Sequence, residues 1–137
     1  MLTYVDADVL IAAARGTPDI SDAALAILED PHRTFASSDF IRLEVLPKST
    51  FTGRNEEIAF YEDYFAGVSA WPADANEVVK AAMKEAQRNG LSALDALHVA
   101  AAWVTGAEEL VTGEKPGRPI HRTSLIRVIS LRTASPS

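Results

Sequence analysis

The chain has 137 residues, 47% of them hydrophobic, no cysteine, and a formal net charge of −6. That length implies one domain, residues 1–137, with a real core, and the composition excludes a disordered chain. The lack of cysteine excludes disulfides, thiolate metal sites and a cysteine nucleophile, and it fits a reducing compartment.

No window is apolar and uncharged for long enough to span a membrane. The N-terminal stretch carries neither a basic n-region nor a small-residue cleavage site, so a soluble, cytoplasmic protein is expected. Charge is unevenly spread. No acidic residue follows Glu114, while five basic ones do: Lys115, Arg118, Arg122, Arg127 and Arg132. The first 114 residues therefore hold all 19 acidic groups against eight basic ones. An acidic body suits cations, and a basic tail suits a phosphate backbone or plain solvent exposure.

Leu2-Thr-Tyr-Val5 is short, apolar and β-prone, and reads as a first strand with Asp6 at its carboxyl end and Asp8 just beyond. Val9–Ala14 is helix-tolerant and is stopped by Arg15-Gly-Thr-Pro18. Asp19–Glu29 has helical apolar spacing. Arg33–Ser37 is a second strand. Ser37-Ser38-Asp39 supplies N-caps for a helix through about Leu46, with Pro47 expected to end it. Glu44 stands in that helix among packing residues.

Asn55–Ala70 reads as a helix with aromatic residues on more than one face: Phe60 with Tyr64, and Tyr61 with Phe65. The surplus fits either a core helix or a dimer or partner surface. Ala75–Asn89 is amphipathic, with Gly90 placed as a left-handed C-cap. Leu91–Val104 is an almost wholly apolar helix interrupted by Asp95 and His98, three apart and so on one face. Ser92 and Asp95 have capping-box spacing, which by itself explains Asp95 as a first-turn carboxylate but leaves His98 unexplained. Leu110-Val-Thr112 is a third strand, 113–117 a loop, and Leu125–Leu131 a last strand. Short strands alternating with helices imply a mainly parallel sheet covered on both faces.

Asp6, Glu44, Asp95 and Glu114 occupy similar places, after strands or among apolar neighbours on helices. Converging carboxylates repel one another unless a cation neutralises them. With no thiolate available the suitable cation is hard, Mg²⁺ or Mn²⁺, and such a site can activate water against phosphorus.

These segments resemble the PIN-domain family, in particular VapC-type toxins and their relatives. Tyr4-Val-Asp6-Ala-Asp8-Val-Leu-Ile11 is similar to the family's first motif, and Ser37-Ser-Asp-Phe-Ile-Arg-Leu-Glu44-Val45 to its second. Leu91-Ser-Ala-Leu-Asp95-Ala-Leu-His98-Val-Ala-Ala-Ala102 is close to the third and is the most specific of the set. Leu110-Val-Thr112-Gly-Glu114-Lys115 is similar to the fourth but departs from it: Glu114 replaces an Asp, and Gly117 stands where a Phe is expected.

The resemblance implies a three-layer α/β/α fold with a short, mainly parallel sheet, and a metal-dependent ribonuclease. It implies that Asp6, Glu44 and Asp95 are the catalytic ligands of Mg²⁺ or Mn²⁺ and that Glu114 supports a second metal position. Asp8, Thr112 and His98 would orient those ligands. It further implies an RNA substrate, a small antitoxin partner and a homodimer. Two alternatives stand beside this reading. One is a PIN-fold protein that acts by binding, suggested by the altered fourth motif. The other is a haloacid-dehalogenase-type phosphatase, suggested by Asp6-Ala-Asp8 but lacking that family's later acidic pair.

Overall fold

The computed structural model describes residues 1–132. In chain order the elements are β1 (Leu2–Val5), α1 (Ala7–Arg15), α2 (Pro18–Leu28), β2 (Thr34–Ala36), α3 (Asp39–Phe51), α4 (Asn55–Ala66), α5 (Ala75–Asn89), α6 (Ala93–Val104), β3 (Glu109–Thr112), a 3₁₀ turn (Pro119–Arg122) and β4 (Arg127–Ser130).

The strands form one parallel sheet in the order β2-β1-β3-β4. From β1 the chain crosses to one side, to β2, and then returns past β1 to β3. Right-handed crossovers in opposite directions place helices on both faces, which makes the three-layer α/β/α arrangement expected from the alternation of elements. The reversal also makes the carboxyl ends of β1 and β3 the switch point of the sheet, where open α/β folds form crevices.

The register there is specific. Tyr4 pairs with Leu110 and Val5 with Val111, so Asp6 and Thr112 come next, side by side. The Asp6 N–H continues the ladder by donating to the Val111 carbonyl at 2.9 Å. Behind this edge lies the core: Tyr4, Val5, Val9, Leu10, Val99, Leu110 and Val111 have no exposed surface. Each aliphatic side chain buried in this way stabilises the fold by roughly 1.5–3 kcal/mol. Helix α6 contributes Ala96, Ala100, Ala101 and Ala102 to the same core, and these small residues let α5, α3 and β3 approach it closely.

Two features differ from the sequence-based expectation. Pro47 lies inside α3, which runs on to Phe51. The proline costs an N–H and strains the turn before it. However, Pro47 and Leu43, whose carbonyl loses its partner, are both exposed, while Val45 and Ser49 four residues apart are buried and hold the helix against the core. Helix α4 ends at Ala66, not Ala70. Gly67 caps it, and the chain turns extended, with Ala70 bridging Ala36 and the Ser69 N–H bonding the Phe35 carbonyl at 2.9 Å. This covers the otherwise bare edge of β2.

The aromatics of α4 are largely absorbed by the core. Tyr61 and Phe65 are buried, and Phe60 and Tyr64 pack partly against them. The largest exposed apolar side chains among the described residues include Leu43 and Phe51 on α3.

Two buried carboxylates brace the sheet. Glu109, the first residue of β3, accepts from Thr3 Oγ1 and Arg33 Nε, both at 2.8 Å. Glu85 on α5 accepts from Thr123 Oγ1 at 2.6 Å, tying the segment before β4 to the helical layer. No helix among the described residues is long and apolar enough to cross a membrane.

Candidate active site

At the carboxyl ends of β1 and β3, a cavity of about 400 Å³ is lined by Asp6, Asp8, Glu44, Asp95 and Glu114, with Ser92, Leu94, His98, Arg118 and Pro119. All seven residues singled out in the sequence lie here: six line the cavity, and Thr112 stands behind it as the hydrogen-bond donor to Asp6.

Asp6 is both the end of β1 and the N-cap of α1. One of its oxygens accepts the Ala7 N–H at 2.8 Å and the other accepts the Thr112 hydroxyl at 2.9 Å. Burial raises its pKa, and Glu44 adds to this. His98 and the two hydrogen bonds act in the opposite direction.

Asp8 sits in the first turn of α1 and accepts the Gly113 N–H at 2.8 Å. A Cβ at residue 113 would lie 3.0 Å from the Asp8 carboxyl carbon, so glycine is what lets the β3 loop close over this side chain. Burial and then the charge of Asp6 push Asp8 up to about 7.

Asp95 and Ser92 form the cap read from their spacing: Ser92 Oγ accepts the Asp95 N–H at 3.2 Å. The Asp95 carboxylate nevertheless lines the cavity, so the capping position and the acidic site coincide. Burial raises its pKa, with Glu114 adding to the effect.

Glu44 reaches the cavity from α3 and is hydrogen-bonded to His98 Nε2. The other ring nitrogen of His98 meets the Tyr4 hydroxyl at 3.0 Å, and that hydroxyl meets Ser38 Oγ at 2.7 Å. The sequence did not reveal this Ser38–Tyr4–His98–Glu44 chain. Ser38 does occupy the N-cap of α3, but its hydroxyl makes no capping bond and serves Tyr4 instead. The available signal was a tyrosine in a strand buried on both sides, since a buried phenol needs a polar partner. Arg118 was likewise not singled out. Its Nε lies 3.4 Å from Glu114 Oε2.

Donor atoms of Asp6, Glu44 and His98 all lie within 4.8 Å of one another. An ion holding oxygens at about 2.1 Å sets neighbouring ligands roughly 3–4 Å apart, so the Asp6 and Glu44 carboxylates can close on a small divalent ion with modest side-chain movement, while both His98 nitrogens stay engaged by Glu44 and Tyr4. Asp95, Asp8 and Glu114 add further hard oxygen donors around the same cavity. The raised pKa values of Asp6, Asp8 and Asp95, which come first from burial and then from neighbouring carboxylates, mark an environment that such an ion relieves.

A parallel α/β/α sheet with an acidic crevice at its switch point defines the class, and the family follows from comparison. The family model described as PIN domain matches residues 3–115, and the chain belongs to that family. This sets aside the haloacid-dehalogenase alternative. No curated protein matches the sequence significantly.

Solved structures share the fold at low identity. A chain of VapBC2 from Rickettsia felis, solved bound to a DNA fragment from their promoter, superposes with a TM-score of 0.69 at 15% identity, covering 95% of this chain and 98% of that one. A chain of a toxin-antitoxin complex from Klebsiella pneumoniae superposes with a TM-score of 0.69 at 15% identity, covering 96% and 99%. A chain of FitAcB from Neisseria gonorrhoeae superposes with a TM-score of 0.61 at 16% identity, covering 94% and 97%.

Proposed function

We propose that the protein is a divalent-metal-dependent endoribonuclease of the VapC type, the toxin of a type II toxin-antitoxin pair acting in the cytoplasm. The observation that carries this reading is the convergence of five carboxylates, drawn from four separate segments, on one cavity at the sheet's switch point.

Asp6, Glu44 and Asp95 would hold Mg²⁺ or Mn²⁺, and Glu114 would serve a second position. A bound ion of this kind supplies charge neutralisation, Lewis acidity and a lowered pKa for water. The chain's own residues do the rest. Thr112 and the Ala7 N–H fix both oxygens of Asp6. His98, buttressed by Tyr4, aims Glu44. The start of α6 presents Asp95 from its first turn, where the helix dipole favours the carboxylate. Gly113 holds Asp8 beside Asp6, adding negative charge that strengthens the site's demand for a cation.

A small antitoxin is part of the reading. A groove of about 570 Å³ between α1 and α4 is lined by Ala13, Ala14 and Phe60, with Arg15, Arg54, Glu56 and Glu57 at its rim. An apolar floor with charges of both signs around it suits an amphipathic segment. That structures of toxin-antitoxin complexes share this fold is consistent with such a partner.

Calorimetric titration with Mn²⁺ together with cleavage of RNA tests the proposal. Binding and cleavage are expected for the native protein, with both lost in Asp6→Asn and Asp95→Asn. No binding at millimolar metal, or binding unchanged in those variants, overturns the nuclease reading. Metal binding without cleavage of RNA favours a PIN-fold protein that acts by binding.

A further inference from the structure

An RNA phosphodiester is an anion, and the cavity that is to receive it is lined by five carboxylates and one guanidinium. Even with a divalent ion bound, approach of the phosphate to this surface is opposed by the remaining negative charge. Arg118 is the one Lys or Arg in the lining, where His98 is committed to Glu44 and Tyr4, and its side chain is 65% exposed at the mouth of the cavity.

Arg118 pairs with Glu114 at 3.4 Å, a separation that leaves most of the guanidinium's five N–H donors uncommitted. An exposed pair of this kind is weak, so it exchanges readily for a stronger acceptor. A phosphate, which takes two parallel N–H donors from an arginine, is such an acceptor.

The backbone beneath Arg118 is anchored. The Arg118 N–H donates to the Lys115 carbonyl at 3.0 Å, and the His121 N–H to the Arg118 carbonyl at 3.1 Å. His121 Nε2 meets the Glu114 carbonyl at 3.1 Å, and Ser130 Oγ donates to that same carbonyl at 2.6 Å. Pro119 stiffens the next position, and Ile120 is fully buried. Arg118 is thus a long cationic side chain on a fixed base, aimed at an acidic cavity. It lies just past residues 3–115, the part that matches the family model, in the loop between β3 and the 3₁₀ turn.

We propose that Arg118 binds the RNA phosphodiester at the mouth of the cavity, exchanging Glu114 for the phosphate oxygens. The inference rests on the nuclease reading above and names the residue that makes an acidic site attractive to a polyanion. It also gives Glu114 a role in the free protein, where it holds the guanidinium in place until RNA arrives.

Fluorescence anisotropy with a short labelled single-stranded RNA of mixed sequence, in Ca²⁺ and over a range of salt, reads this directly. Arg118→Ala is expected to weaken binding about tenfold and to reduce the slope of log affinity against log salt by about 0.7, the signature of one lost phosphate contact to a single strand. Lys115→Ala, which removes an equal charge from the exposed loop outside the cavity, is expected to change both far less. Arg118→Lys should recover part of the affinity, because the charge remains and the paired donors do not. Mn²⁺ titration of Arg118→Ala should show affinity no weaker than native.

Equal effects of Arg118→Ala and Lys115→Ala would reduce Arg118 to bulk electrostatics and overturn the proposal, as would an unchanged slope. Weakened Mn²⁺ binding in Arg118→Ala would assign it to the metal site and also overturn it. If the native protein binds Mn²⁺ and cleaves RNA while Arg118→Ala behaves as native, only this inference fails. If the native protein binds neither metal nor RNA, the nuclease reading fails with it.

Discussion

The Thr112 hydroxyl donates to Asp6 Oδ2 at 2.9 Å, joining two residues 106 apart in sequence at the adjacent ends of β1 and β3. Thr112 Oγ1 in turn accepts the Glu114 N–H at 3.1 Å, so one side chain fixes both the first acidic residue of the site and the loop that carries the last.

Replacing Thr112 by Val keeps the shape and removes the donor. Thr112→Val is expected to cost about 1–3 kcal/mol, the penalty for depriving a buried carboxylate of a hydrogen bond, and to weaken Mn²⁺ binding. Thr112→Ser should stay close to native in both. Urea unfolding in EDTA and calorimetry measure the two effects, and equal behaviour of Val and Ser would show that the hydroxyl does not matter.

The His98 ring has a definite orientation. Glu44 offers only an acceptor when ionised, so Nε2 must carry a proton, and in the neutral ring Nδ1 then accepts from the Tyr4 hydroxyl. Nitrogen NMR of the imidazole should accordingly report the Nε2–H tautomer whenever His98 is neutral. Tyr4→Phe should cost about 1–2 kcal/mol and leave a detectable population of the other tautomer. A ring that is predominantly Nδ1–H in the native protein would contradict the hydrogen-bond chain.

Asp8 makes stability depend on pH. Its pKa in the folded protein is pushed up to about 7, against about 3.9 for a free side chain. The folded state therefore binds this proton more tightly than the unfolded chain does. The resulting stabilisation is fully present below about pH 4 and is lost as pH rises through about 7. In EDTA, thermal unfolding should occur at lower temperature at pH 8 than at pH 5. Asp8→Asn keeps an oxygen for the Gly113 N–H and removes the charge, and should gain about 2 kcal/mol at pH 8. That is half of what the full shift represents, because part of the side chain meets water. It should gain little at pH 4. Millimolar Mg²⁺ should restore most of the native protein's loss at pH 8. A melting temperature independent of pH in this range would remove the argument.

Pro47 offers a test of the fold away from the site. It lies in the interior of α3 at an exposed position, so Pro47→Ala supplies the missing N–H to the Leu43 carbonyl without disturbing the core. The substitution is expected to stabilise the protein by about 1–3 kcal/mol, measured by urea unfolding. No gain, or a loss, would mean that α3 depends on the proline to set its course.

The alternation of strands and helices was legible because it is local. Leu2–Val5, Asp19–Glu29, Ala75–Asn89 with Gly90, and Ser92 ahead of α6 each carry their signal within one or two turns of chain. Chemistry of side chains was legible in part: with no cysteine present, any cation that the acids at strand ends and helix starts gathered to hold had to be a hard one, although capping alone also accounted for Asp95. What the sequence could not decide is what depends on strand order and on burial. The order β2-β1-β3-β4 sets Asp6 beside Thr112 and brings Asp8 under Gly113, because register is a property of pairs of strands. Burial of Val45 and Ser49 carries α3 through Pro47 against its local preference, and the bare edge of β2 draws the residues after Gly67 out of helix. The Tyr4–His98–Glu44 chain and the placing of Arg118 arise the same way. A buried polar group takes whichever partner the packed layers bring within reach, and that partner is chosen by the fold, not by its neighbours in sequence.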